Sequence, residues 1–94
     1  MLRIVKLTFK EENIPAFLVE FEKSKENIRS FKGCKGMNLL RDKHQENIFF
    51  TYSEWEKESD LENYRNSELF KGVWKAVKPL FLSKAEAWSV EKFA

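Results

Sequence analysis

The chain is 94 residues long, which is room for one hydrophobic core and so for one domain spanning residues 1–94. Apolar residues make up 43% and charged residues 34%, and no apolar run approaches the roughly 20 residues of a membrane span. A formal net charge of +2, with lysines and glutamates interspersed, lacks the basic footprint of a nucleic-acid binder. These balances point to a small organic ligand or a protein partner, with neither nucleic acid nor membrane.

The opening stretch "MLRIVKLTFKEEN" reaches Lys6 and Lys10 before any apolar run forms and offers no small-residue cleavage site, so it does not read as a signal peptide. A cytoplasmic location is the expectation. Within this stretch "LRIVKLTF", residues 2 to 9, is rich in β-branched and aromatic residues and predicts a strand. Ile14, Phe17, Leu18, Phe21, Lys25 and Ile28 then recur at helical spacing, with Asn13 as the expected N-cap and Pro15 tolerated in the first turn. "FKGCKG" breaks that helix, because Gly33 and Gly36 can take backbone angles closed to other residues. Cys34 is the only cysteine, so no intrachain disulfide and no cysteine metal cluster is expected.

"MNLLRD" and "NIFFTYSEW" predict two antiparallel strands joined across "KHQE". Ser59 can cap a short helix carrying Leu61 and Tyr64, and Ser67 a second carrying Leu69, Phe70, Val73, Trp74 and Val77. Pro79 stops the second, and "AEAWSVEKF" returns to a strand pattern. The resulting order of strand, helix, strand, strand, helix pair and strand is the split βαβ arrangement, a ferredoxin-like α+β fold with an antiparallel sheet.

A sheet with helices on one face and water on the other alternates cleanly between apolar and polar residues. Residues 48 to 55 do not. Ile48, Phe50 and Tyr52 share one parity while Phe49, Thr51, Ser53 and Trp55 share the other, so both faces carry large side chains. One face packs under the helices, and a second copy of the chain is the simplest cover for the other, which predicts a homodimer through the sheet.

Trp55, Glu56, Leu61, Ser67 and Phe70 are spaced W-E-x(4)-L-x(5)-S-x(2)-F behind an aromatic strand. In this the chain resembles the antibiotic biosynthesis monooxygenase domain of the dimeric α+β barrel superfamily, and the likeness extends over essentially the whole chain. The resemblance implies a dimeric barrel with its cavity between sheet and helices, and oxygenation of a phenol, quinol or other small aromatic molecule without a cofactor. Many members carry histidines where this chain has Tyr64 and Leu69. The haem-degrading branch has its Asn, Trp and His near Ile4, Tyr64 and Trp74, and none of the three is kept here. Neither haem nor a metal is therefore expected.

On this footing Tyr64, Trp74 and Asn38 are the catalytic candidates. The tyrosine and tryptophan combine an apolar face with a hydrogen-bonding tip, and an Asn amide can donate where negative charge develops on the substrate. Phe70, Tyr52, Trp55 and Arg41 are the candidates for binding the aromatic substrate. Phe49, Phe50 and Trp55 read as packing inside the core and against the partner. The alternative role for the stripe Leu61, Tyr64, Phe70 and Trp74 is plain helix packing. His44, amid charged residues of "RDKHQEN", reads as a solvated hairpin tip, and Lys71, Lys75 and Lys78 as a solvated helix face. Other functions weighed are a ligand-binding barrel that has lost its reactive groups and an RNA-binding module. The latter lacks the basic, glycine-flanked aromatic strand it would need.

Overall fold

Backbone pairing in the computed structural model, which describes residues 1–94, builds one four-stranded sheet in the order β2-β3-β1-β4. Strand β1 (Leu2–Thr8) pairs antiparallel with both β3 (Ile48–Trp55) and β4 (Glu86–Val90), and β2 (Cys34–Arg41) pairs antiparallel with β3. Helix α1 (Ile14–Arg29) carries the chain from β1 to β2 past β3, and α2 (Glu58–Arg65) and α3 (Glu68–Val77) carry it from β3 back to β4. This is the ferredoxin-like α+β topology that the element order predicts.

Register decides which side chains meet. Leu7 lies opposite Phe49, so both point to the face that the helices cover, and they form the core with Phe9, Phe17 and Val77. Phe9 is fully buried, with its ring 4.2 Å from that of Phe17 and 5.3 Å from that of Phe81. The same register sends Ile4, Phe50 and Tyr52 to the opposite face, together with Asn38 and Leu40 of β2 and Trp88 and Val90 of β4. Apart from Ile48, which is buried at one end, the chain leaves that face largely uncovered: Leu40, Trp88 and Val90 are 48%, 44% and 40% exposed.

Several element ends differ from expectation. Asn13 is the N-cap residue of α1, as expected, but its side chain makes no capping hydrogen bond. It sits in a 3₁₀ turn (Glu11–Asn13) with helical backbone angles, and its carboxamide instead donates to the Leu80 carbonyl at 3.2 Å, tying the start of α1 to the turn after α3. Ser59 lies inside α2, which begins one residue earlier behind an extended Lys57, with Glu58 and Asp60 favourably placed in its first turn. Ser67 does cap α3, its Oγ accepting the Phe70 N–H at 3.1 Å while donating to the Tyr64 carbonyl at 2.6 Å. One hydroxyl thus fixes α2 relative to α3.

Strand β2 starts at Cys34, three residues earlier than its apolar pattern, because a register shift between Cys34 and Gly36 lets the strand run through the glycine-rich stretch. Of its two glycines only Gly33 takes a left-handed conformation, at φ 87°. A Cβ there would collide with the carboxylate side chain of buried Asp60, so this turn and the first turn of α2 are in close contact. At the other end of β2 the Asp42 carboxylate accepts the N–H groups of His44 and Gln45 at 2.8 and 2.9 Å, closing the hairpin. Those two donors hold Asp42 below its ordinary carboxyl pKa. His44 is exposed at the hairpin tip.

Candidate functional site

Between the covered face of the sheet and the three helices lies a cavity of about 360 Å³, and fifteen of its twenty lining residues are hydrophobic. Its volume and apolar character match those of small-molecule sites. The sheet contributes Val5, Thr51, Ser53 and Trp55, and α2 and α3 contribute Tyr64, Phe70 and Trp74.

The aromatic side chains make a continuous wall. Trp55 and Tyr64 stack with ring centroids 5.1 Å apart, Tyr64 meets Phe70 edge-on at 5.3 Å, and Phe70 stacks on Trp74 at 5.8 Å. The Ser67 cap holds this wall in place, since it joins the end of the helix bearing Tyr64 to the start of the helix bearing Phe70.

The polar tips of the wall differ. Trp55 is 1% exposed, and its indole N–H donates to Ser53 Oγ at 2.9 Å, so it has nothing left to offer a ligand. The Tyr64 hydroxyl and the Trp74 indole N–H have no protein partner. No side-chain polar atom that is sealed from solvent lacks a partner, so both groups remain reachable. Burial first, and the neighbouring Cys34 second, push the Tyr64 phenol up to about 12. Tyr64 is therefore a proton donor in a hydrogen bond at neutral pH and not a base.

Two cations border this apolar volume. Arg3 and Arg65 both line the cavity. Arg3 Nη1 donates to Ser89 Oγ at 2.9 Å, and Arg65 Nη1 to Glu62 Oε1 at 3.2 Å. Burial and then the charge of Arg65 pull the Arg3 guanidinium below its usual range, with Glu62 opposing. Neither arginine stands out in the amino-acid sequence, although Arg3 shares strand parity with Val5 and Leu7, and Arg65 follows Leu61 by one helical turn.

The structure brings Tyr64, Phe70, Trp74 and Trp55 together around one cavity and leaves Asn38, Tyr52 and Arg41 outside it. Asn38 and Tyr52 are register partners on the uncovered face, so the sheet itself stands between them and the aromatic wall. Arg41 lies at the far end of β2, its Nε donating to the Glu46 carbonyl at 2.9 Å and its guanidinium 5.0 Å from the centre of the Phe49 ring. Ile4 also faces away from the cavity. No three His, Cys, Asp or Glu side chains come together in a group that could hold a metal ion, and no helix is long and apolar enough to cross a membrane.

The sequence profile of the antibiotic biosynthesis monooxygenase family matches residues 1–76. The chain belongs to the antibiotic biosynthesis monooxygenase family. Among solved structures, that of an antibiotic biosynthesis monooxygenase is 18% identical over all of both chains, with a TM-score of 0.91. A conserved protein from Methanosarcina mazei Go1 is 21% identical, with 92% of this chain and 86% of that one covered and a TM-score of 0.86. A Pseudomonas aeruginosa protein is 20% identical, with 99% and 93% covered and the same TM-score of 0.86. At such identities the likeness establishes the fold, which this chain shares with its family from β1 to β4. No curated protein matches the sequence.

Proposed function

We propose that this antibiotic biosynthesis monooxygenase family member is a one-domain cytoplasmic homodimer that oxygenates a small phenolic or quinol substrate without a resident cofactor. The observation that carries the reading is the aromatic wall of an apolar cavity with two free donors, the Tyr64 hydroxyl and the Trp74 N–H, at its surface. A planar ring fits against Phe70 and Trp74, with Trp55 buried behind them. The two donors serve the oxygen on which negative charge develops as the substrate ionises. The electron-rich anion then reduces molecular oxygen. For a methylene flanked by aromatic rings, one oxygen atom becomes the new carbonyl and the other leaves as water with the two hydrogens lost from carbon. The chain's own part is to bind, orient and exclude water.

The dimer reading rests on the uncovered sheet face, where Leu40, Trp88 and Val90 are exposed beside half-buried Ile4, Phe50 and Tyr52. A second copy laid across this face would bury them. Asn38 and Tyr52 would then belong to the subunit contact, not to the chemistry.

A second reading, a ligand-binding barrel without catalysis, is favoured by one observation: no carboxylate or imidazole lines the cavity, so no side chain is placed to take the substrate proton. Oxygen uptake with a panel of anthrones and quinols separates the two. Catalysis predicts uptake above the spontaneous rate that falls in Tyr64→Phe. A binder quenches tryptophan fluorescence and leaves the spontaneous rate unchanged.

A further inference from the structure

We infer that the cavity takes an aromatic molecule carrying a carboxylate or equivalent anion, held where Arg3 and Arg65 line it. The inference rests on the reading above that the cavity binds a small aromatic molecule, and it adds the charge of that molecule.

The argument starts from β1. Arg3 has the parity of Val5 and Leu7, so the strand turns a guanidinium toward the covered side of the sheet, where an apolar residue would cost nothing to bury. Its side chain makes one hydrogen bond, to the neutral Ser89 hydroxyl, and no salt bridge. A guanidinium has five N–H donors in a planar fork suited to a carboxylate, so most of its donors meet solvent and not protein and are open to a ligand.

Arg65 brings a second positive charge to the same cavity. Its partner Glu62 sits one turn back on an exposed part of α2, with half of its side-chain surface still in water at 52% exposure. One carboxylate thus stands against two guanidinium groups, and the cavity lining itself contains no acidic residue. The repulsion from Arg65, which together with burial depresses Arg3, would be offset by an anion bound beside the two arginines. An aromatic acid meets the whole arrangement, with its ring along Phe70 and Trp74 and its carboxylate at the arginines.

Isothermal titration with 2-naphthoate and 2-naphthamide tests this, since the two share shape and differ in charge. The expected result is that naphthoate binds about tenfold or more tightly than the amide, as charge-assisted hydrogen bonds require, and that salt narrows the gap. Arg3→Gln should abolish the preference, and Arg65→Gln, on an exposed helix position where folding is secure, should reduce it severalfold. Equal affinity for the two probes would overturn the inference while leaving the aromatic cavity standing. Failure of both probes to bind would overturn the cavity reading together with it.

Discussion

Replacing Trp74 by alanine distinguishes a cavity wall from ordinary core. A tryptophan sealed in a core costs roughly 3 to 5 kcal/mol when truncated, part of it for the void left behind. Trp55, only 1% exposed and hydrogen-bonded to Ser53, should behave in this way. At Trp74 the neighbouring space is already open, so truncation enlarges an existing cavity of about 360 Å³ and creates no new one. What is lost is partial burial and two aromatic contacts, the stack on Phe70 at 5.8 Å and the edge contact with Phe81 at 5.5 Å. At about 0.5 to 1.5 kcal/mol per pair the two contacts alone contribute about 1 to 3 kcal/mol, to which the partial burial adds, and with no new void the loss for Trp74→Ala should stay below that for Trp55→Ala. Urea unfolding of both variants at matched m-values measures the difference. A Trp74→Ala loss equal to that of Trp55→Ala would show that Trp74 is core and remove it from the site.

Tyr64→Phe should leave the fold intact at neutral pH and weaken binding of a phenolic ligand by about 0.5 to 1.5 kcal/mol, one hydrogen bond. It should also change alkaline stability. Because the folded Tyr64 phenol is raised to about 12, its contribution is fully present below about 10, the unfolded value, and is lost as the pH rises through about 12. Wild type should therefore lose about 2 to 3 kcal/mol more than Tyr64→Phe across that window in urea melts, and parallel curves would contradict the burial of this phenol. Gly33→Ala combines left-handed strain of about 1 to 2 kcal/mol with a collision against Asp60, so its melting temperature should fall clearly, and an unchanged melt would refute the turn geometry. Trp88→Glu places a charge on the exposed apolar face of the sheet and should yield monomers in light scattering; an intact dimer would locate the subunit contact elsewhere.

Strand parity was the most legible feature of the amino-acid sequence. The two sets within residues 48 to 55 segregate onto the two faces of β3 as their alternation predicts, and Ser67 caps α3 as its position before Leu69 and Phe70 suggests. What parity does not tell is which face receives the helices, since Phe50 and Tyr52 are as apolar as Phe49 and Trp55. Parity alone therefore groups Asn38 and Tyr52 with Tyr64, although the sheet separates them. The early start of β2 is masked because the glycines of "GCKG" read as turn residues, whereas Gly36 marks the bulge that lets the strand continue. Arg3 carries no signal for a related reason: a charged residue at a strand end reads as solvated, and only the fold brings Ser89 and Arg65 near it.

The most direct test is a crystal structure of the protein grown with a tricyclic hydroxyanthraquinone, a stable relative of the oxygenated product. The account predicts the ring system between the sheet and helices α2 and α3, stacked along Phe70 and Trp74 with an oxygen within hydrogen-bond reach of the Tyr64 hydroxyl. A molecule found instead on the opposite face of the sheet, beside Asn38 and Tyr52, with the cavity unoccupied, would contradict it.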